Sequence, residues 1–493
     1  MRAGSERGWP MGGVMQGSAA PRARRIGRQS MLAYGFGAVA YGVKDAGFQT
    51  FLLLFYNQVI GLPAVQVGGA IMAALILDAM IDPAIGAASD RTRSRWGRRH
   101  PWMYGSAIPI ALGWLLLWNP PELPHAAMLG WVFATAVVVR TAVSAYEVPS
   151  VALAPELTAD YDERTRIMAY RYLFGWAGGL AMLVAAYTLF LVPGEGQPNG
   201  LLNREGYGLF AAVGAAAMAG AILISALGTH HEITRLPRPE IGKTTLRETF
   251  GELIETVRNR AFALLMIAGL CAYSAQGISF ALSNYLYTFV WLFPVSAFMA
   301  LGAVLFAGVL MAFFIAPRLA RRWGKRKAAA FFMTLAPVLL GLPYWLRLAG
   351  VFPPPGDPAM LPALFGIFIV NTTCSVSAFM LGGSMMADVV EHSEAQTGRR
   401  SEGVFFAGYF FVQKCTSGIG IGLAGLVLWI AGFPDGATPG QVPEATIDRL
   451  TIIFTLCYLA LGWGAAWFFT RFPFGKAEHE ARIGRAAAGQ RAE

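Results

Sequence analysis

Residues Leu75–Arg99 read LILDAMIDPAIGAASDRTRSRWGRR. The first half is an apolar helical stretch that nevertheless carries Asp78 and Asp82, one helical turn apart and so on one face. Pro83 follows, and its missing N–H leaves the carbonyl of Ala79 without a helical partner. Up to three oxygen sources therefore fall within one turn. In a membrane each ionised Asp costs about 2.5–3.5 kcal/mol at the helix centre, a cost that persists where carboxylates handle something positive. The second half, Asp90–Arg99, carries five arginines, as a polar loop beside a membrane does.

Working outward, the composition agrees. Of the 493 residues, 55% are hydrophobic and 14% charged, with a mean hydropathy of +0.49, whereas soluble domains carry about 25% charged residues. A polytopic membrane protein is implied. The net charge of +10 sits in short clusters between apolar runs, a pattern that orients membrane proteins and does not point to nucleic acid. Cys271, Cys374, Cys415 and Cys457 all fall inside apolar segments, so no disulfide framework is indicated. Residues 1–30 hold six arginines and no apolar run before Met31, which fits a cytoplasmic tail and not a signal peptide.

Apolar runs long enough to cross a bilayer, about 20 residues each, lie near 31–58, 65–89, 101–119, 126–154, 167–192, 206–228, 261–291, 296–317, 328–350, 359–390, 403–433 and 450–470. Twelve spans put both termini on one side. The segments on that side hold 33 of the 39 Lys and Arg, and the opposite loops hold only Arg204 and Arg449. By the positive-inside rule both termini are cytoplasmic. Residues 229–260 form the longest internal polar segment and divide the spans six and six. RWGRR at Arg95–Arg99 returns as RWGKR at Arg322–Arg326, each after the second span of its half. The expected fold is all-α: an amino-terminal bundle over 31–228, a cytoplasmic linker over 229–260, a carboxy-terminal bundle over 261–470 and a cytoplasmic tail over 471–493.

Other polar groups sit where apolar ones are expected. In the first span Gly37, Tyr41 and Lys44 share a face, and Asp45 follows at once. The fourth places Arg140, Ser144 and Glu147 at i, i+4 and i+7 on one face. Arg171 opens the fifth, Lys414 lies in the eleventh, and Asp388 near the end of the tenth precedes Glu391 and His392. Each has a plainer reading: Asp78 or Asp82 paired with Arg140 to hold helices together, Lys44–Asp45 and Lys414 as internal pairs, Lys as a snorkelling side chain, Arg171 as an interfacial anchor, Asp388 and Glu391 as loop charges. The Arg91–Arg99 cluster, with Asp90, is chiefly topogenic; its sharper reading is a cytoplasmic gate of Asp90, Arg91, Arg95, Arg98 and Arg99. Glycines such as Gly35, Gly175 and Gly418 fit close helix packing. The six histidines lie at span ends, in loops or in the tail, so no catalytic or metal cluster supports an enzyme.

The motifs DAMIDPAIG…SDRTRSRWGRRHPW from Asp78, YGFGAVAYGVKD from Tyr34, EVPSVALAPELTADYDERT…YR from Glu147 and ADVVEHSEAQTGRRSEG…VQK from Ala387 together resemble the glycoside–pentoside–hexuronide:cation symporters, the melibiose-permease-like branch of the major facilitator superfamily. The resemblance implies that Asp78, Asp82 and Ser144 serve the coupling cation, with Na⁺ at the aspartate pair one option. It implies that Lys44, Asp45, Glu147, Arg171 and Lys414 contact substrate. This chain departs from the family pattern in four places. Ile81 replaces a polar amide, Glu147 an Asp, Val151 a stacking Trp, and Arg140 is an added buried charge.

The expected function is secondary active symport of a sugar or glycoside by alternating access, with no cofactor, no nucleic acid partner, and a monomer in the bilayer as the working unit. A lysolipid or other amphipathic solute, or an uncoupled facilitator, is the alternative. With all groups ionised, Lys44, Arg140, Arg171 and Lys414 balance Asp45, Asp78, Asp82 and Glu147. A neutral cavity attracts Na⁺ weakly and Ile81 supplies no ligand, so the expected coupling ion is H⁺.

Overall fold

The computed structural model describes residues 26–158, 160–194, 199–233, 259–397 and 402–473. Most of the tail 1–30, the linker 229–260 and the tail 471–493 lies outside those residues. Among the described residues twelve helical spans follow in chain order. They are α1 (28–59), α2 (Ala64–Arg91), α3 (His100–Trp118), α4 (His125–Leu157), α5 (161–190) and α6 (Arg204–His230), then α7 (260–290), α8 (Val295–Trp323), α9 (Lys325–Leu348), α10 (Met360–Thr397), α11 (Glu402–Ala431) and α12 (Glu444–Thr470). Ten of them are single helices long and apolar enough to cross a membrane. The third, at 19 residues, and the first, which is built in pieces, complete the set. Helices α10 and α12 run several residues past the apolar runs that announce them, because their polar end turns continue the backbone ladder beyond the hydrocarbon stretch.

Local sequence explains where the spans begin. Pro63, Pro124, Pro294 and Pro443 stand at the N-cap positions of α2, α4, α8 and α12, where a missing N–H costs nothing. The repeated RWG(R/K)R motif turns the chain through its glycine: Gly97 and Gly324 have φ of 72° and 83°, backbone that glycine adopts without strain.

The helices pack as two bundles with one pattern. In the first, α1 lies against α5 and α6, α2 against α4, and α3 against α4 and α6; in the second, α7 lies against α11 and α12, α8 against α10, and α9 against α10 and α12. The first span of each half even ends alike. Residues 55–59 and 286–290 each form a π-type turn. In both, a backbone N–H then reaches back six residues: Leu62 to Tyr56 and Phe293 to Tyr287, each at 2.9 Å.

Between bundles, α2 runs along α11, with lesser contacts of α1 on α7 and α5 on α8. Glycines on α11 bring α2 close. A Cβ on Gly418 would fall 2.9 Å from Leu75 Cβ, and one on Gly425 would fall 2.5 Å from the Ala64 carbonyl oxygen. At the end away from the termini, polar bonds cross the divide. Asn57 donates to Asp435 at 2.6 Å, Tyr285 donates to Asn57 at 2.8 Å, and Asn284 donates to the Thr50 carbonyl at 3.1 Å. At the opposite end the described ion pairs stay within one bundle.

Candidate substrate and coupling-ion site

The glycine stripe sets the position of Lys414. It lies one turn before Gly418 on the same face of α11, so the close approach to α2 carries its ammonium to the aspartates. Lys414 Nζ donates to Asp82 Oδ2 at 2.5 Å and to Ser144 Oγ at 3.2 Å, and sits 3.5 Å from Asp78 Oδ2. Helix α2 continues through Pro83, so Asp78 and Asp82 stay stacked on one face.

Helix α4 supplies the rest of the aspartate shell. Arg140 donates to Asp78 Oδ2 from Nε at 3.0 Å and from Nη2 at 2.6 Å. Ser144 donates to Asp78 Oδ1 at 2.7 Å. The Asp78 side chain is only 1% exposed and that of Arg140 5%. Arg140 Nη1 also lies 4.0 Å from Asp45, which Lys44 holds at 2.7 Å. The buried Lys44 ammonium stands 4.3 Å over the Tyr41 ring, as expected for i, i+3 neighbours. A chain of alternating charge thus runs Lys44–Asp45–Arg140–Asp78–Lys414–Asp82 across α1, α4, α2 and α11.

One turn along α4 from Ser144, Glu147 Oε1 lies 3.5 Å from Arg171. Arg171 also donates to Ser150 Oγ at 3.0 Å, and Tyr34 donates to the Ser150 carbonyl at 2.7 Å. Two buried carboxylate oxygens, Asp82 Oδ1 and Glu147 Oε2, have no hydrogen-bond partner. Buried acceptors of this kind are costly unless a proton or a ligand completes them.

All eight residues marked by the sequence as cation or substrate contacts, together with Arg140, therefore fall in or beside one network. The basic cluster makes its described contacts inside one bundle. Arg99 is bound by Asp90 at 2.5 Å, Glu156 at 3.1 Å and Ser89 at 2.6 Å, and Arg98 joins Glu156 at 2.6 Å. These contacts tie the ends of α2 and α4 to the entry of α3, inside one bundle. Arg91 and Arg95 are exposed, with Arg95 stacked 5.4 Å over Trp96. In the other half Lys325 pairs with Asp388 at 2.6 Å; the side chains of Glu391 and His392 lie outside the described residues. Sequence reasoning missed Glu156 as the hub of this cluster, and missed the Asn57–Tyr285–Asp435 bonds. The consecutive amides Asn57 and Gln58 at the end of an apolar span were the available signal.

No group of three His, Cys, Asp or Glu able to hold a metal occurs among the described residues. For Na⁺ at the aspartates, the donor set is short: both Asp78 oxygens and one Asp82 oxygen already accept hydrogen bonds. A hard cation asks for several oxygen ligands at once.

Two like-packed six-helix bundles, with buried charges gathered where they meet, define a membrane carrier of the major facilitator fold. Solved structures agree in fold. The xylose transporter XylE from E. coli, in an inward open conformation, superposes with a TM-score of 0.58 at 13% identity, covering 90% of this chain and 96% of that one. The nucleoside transporter NupG gives a TM-score of 0.59 at 15% identity, covering 90% and 99%. The model of the MFS/sugar transport protein family matches residues 33–476. The inner membrane symporter YicJ of Escherichia coli (strain K12) is 27% identical over 435 residues, 87% of this chain and 88% of YicJ. The isoprimeverose transporter of Lactiplantibacillus pentosus is 26% identical over 384 residues, 78% of this chain and 76% of that protein. The chain belongs to the MFS/sugar transport protein family, among the glycoside–pentoside–hexuronide symporters.

Proposed function

We propose that this chain is a proton-coupled symporter of a sugar or glycoside, with both termini cytoplasmic and the bundles closed at the outer face. The observation that carries the coupling is the Lys414–Asp82 pair. Among the described residues, the ion pairs that join the two bundles are those of Lys414. A proton taken up at Asp82 removes the charge that holds Lys414, frees its ammonium, and loosens the tie between bundles. Lys414 then turns to substrate, alongside Lys44, Asp45, Glu147 and Arg171, whose charge-assisted hydrogen bonds suit hydroxyl groups. Binding and closure are linked because each ligand favours the same rearrangement.

The family, and relatives carrying names such as isoprimeverose transporter, support a sugar or glycoside as the substrate. Purified protein in proteoliposomes, offered labelled glycosides, uronides and lysolipids, tests the proposal under an imposed pH gradient or an imposed Na⁺ gradient. Concentrative uptake of a glycoside driven by the pH gradient alone is expected. Uptake driven by Na⁺ alone overturns the ion, and uptake confined to lysolipids overturns the substrate.

A further inference from the structure

The two aspartates of α2 are one turn apart and chemically alike, yet their partners differ in kind. The hydrogen-bond donors that close on Asp78 belong to its own bundle, and Lys414 of the other bundle stands off at 3.5 Å. Arg140 places two N–H groups on Oδ2, Ser144 occupies Oδ1, and both side chains are buried. The third Arg140 nitrogen leans towards Asp45 on α1, and the guanidinium rests 5.7 Å from the Phe48 ring. Arg140 is thus pinned by α1, α2 and α4, three helices that move together when bundles rock. Asp82 has one partner, Lys414, and that partner comes from the other bundle. Its side chain is 23% exposed and its second oxygen is free of hydrogen bonds.

We propose that Arg140 is a resident cation of this carrier: it neutralises Asp78 throughout the transport cycle, leaves Asp82 as the sole exchanging carboxylate, and excludes Na⁺ by occupying the position a metal ion needs. The assignment rests on the proposed symport but concerns the ion alone. A guanidinium held by two hydrogen bonds and a stacking ring cannot leave with the substrate, whereas a bound Na⁺ must. With Arg140 in place the aspartate pair offers an incoming metal ion one free oxygen, Asp82 Oδ1, beside an ammonium. The charged groups in and beside the network that holds Asp78 are Lys44 and Asp45 on α1, Asp82 on α2, Arg140 and Glu147 on α4, Arg171 on α5 and Lys414 on α11. They sum to zero together with Asp78, so a further monovalent cation leaves the site with an unbalanced positive charge.

The test needs no sugar, so its outcome is independent of the substrate. Thermal unfolding of the purified protein is compared in NaCl and in choline chloride at equal ionic strength. The unmodified protein should unfold alike in both; a shift specific to Na⁺ overturns the proposal. Arg140→Gln removes the charge and opens Asp78. It should gain a saturable, Na⁺-specific stabilisation, with the folded-to-unfolded ratio rising about elevenfold at ten times the Kd. Arg140→Lys keeps the charge and should show none. An Arg140→Gln protein that unfolds alike in both salts overturns the proposal. Should that variant not fold, the unmodified protein still decides through dicyclohexylcarbodiimide, which attacks protonated carboxyls, read by peptide mass spectrometry. Adduct at Asp82 with Asp78 unmodified is the expected result, and adduct at Asp78 overturns it.

Discussion

The two bundles share one packing pattern and divide the chemistry unequally. The first carries Lys44, Asp45, Asp78, Asp82, Arg140, Glu147 and Arg171; among the described residues the second adds Lys414 alone to that network. The second bundle also has an apolar core of its own, with Phe262, Met333, Leu381, Met385 and Phe469 in it. Duplicated architecture therefore does not impose duplicated function. One half can hold the binding groups while the other contributes a single lever, provided the lever is placed with the accuracy that the α2–α11 glycine contact supplies. Seven of the eight charges lie in one bundle, and Lys414 is the contact that links them to the other.

The largest effect should come from breaking the lever at its seat. Asp82→Asn keeps the shape and removes the charge that Lys414 crosses the divide to meet. Uphill accumulation should be lost while membrane insertion and downhill exchange persist, measured by concentrative uptake against equilibrium exchange in the same vesicles. Normal accumulation by this variant would remove Asp82 from the coupling step. The charge pair at the matching end of the other half offers the contrast. Lys325–Asp388 is half-exposed on the Lys side, and Asp388→Asn should change stability by no more than about 1 kcal/mol.

Next in size is the static pair. Removing one partner of a buried ion pair strands the other charge, at a cost of about 3–5 kcal/mol. Arg140→Ala and Asp78→Asn should each lower thermal stability strongly. The double replacement Arg140→Met with Asp78→Leu should recover most of the loss, because no charge is left stranded. Equal losses in the single and double variants would show that the network does not act as a pair.

Much of this was legible in the chain. The twelve runs, the repeat of RWG(R/K)R and the i, i+4, i+7 charges on α4 each follow from a periodicity or a charge count that a helix must obey. Arg140 also stood out, since an arginine among valines has no cheap place in hydrocarbon. What the sequence left undecided is which charge meets which. Asp78 and Asp82 differ by one turn, and only the angle at which α4 and α11 cross α2 gives Arg140 to Asp78 and brings Lys414 closer to Asp82 than to Asp78. The arginine cluster after α2 reads equally well as a gate or as an anchor, because its acidic partner, Glu156, lies 57 residues beyond Arg99. Its pairing within one bundle emerges only once α4 has folded back.

A third comparison sets two interfaces against each other. The α2–α11 and α5–α8 contacts are equivalent under the repeat but not equally tight. At Gly425 the atom opposing an added Cβ is a backbone carbonyl; at Gly302 it is the Val184 methyl, 2.7 Å away and able to rotate. Gly425→Val should cost about 1–3 kcal/mol through overpacking and slow transport, whereas Gly302→Ala should be milder on both counts. A larger penalty at Gly302 would mean that α5–α8 is the tighter hinge.

The smallest effect lies where the repeat is followed in shape but not in residue. After their matching π-type turns, the two halves place Gly61 and Leu292 at equivalent positions, with φ of 86° and 47°. Glycine is at ease there, but a leucine Cβ crowds its own carbonyl, at about 1–2 kcal/mol. The Leu292 side chain returns little of that, being 41% exposed. Leu292→Gly relieves the crowding but loosens the unfolded chain, which offsets about 0.5–1 kcal/mol. The balance is a gain of less than about 1 kcal/mol, visible as a small rise in melting temperature with transport unchanged. Gly61→Leu imposes the same crowding on the other half and should lower the melting temperature instead. The sign is thus expected to reverse between two positions that the fold treats as one, and a common sign would show that the two turns are not equivalent after all.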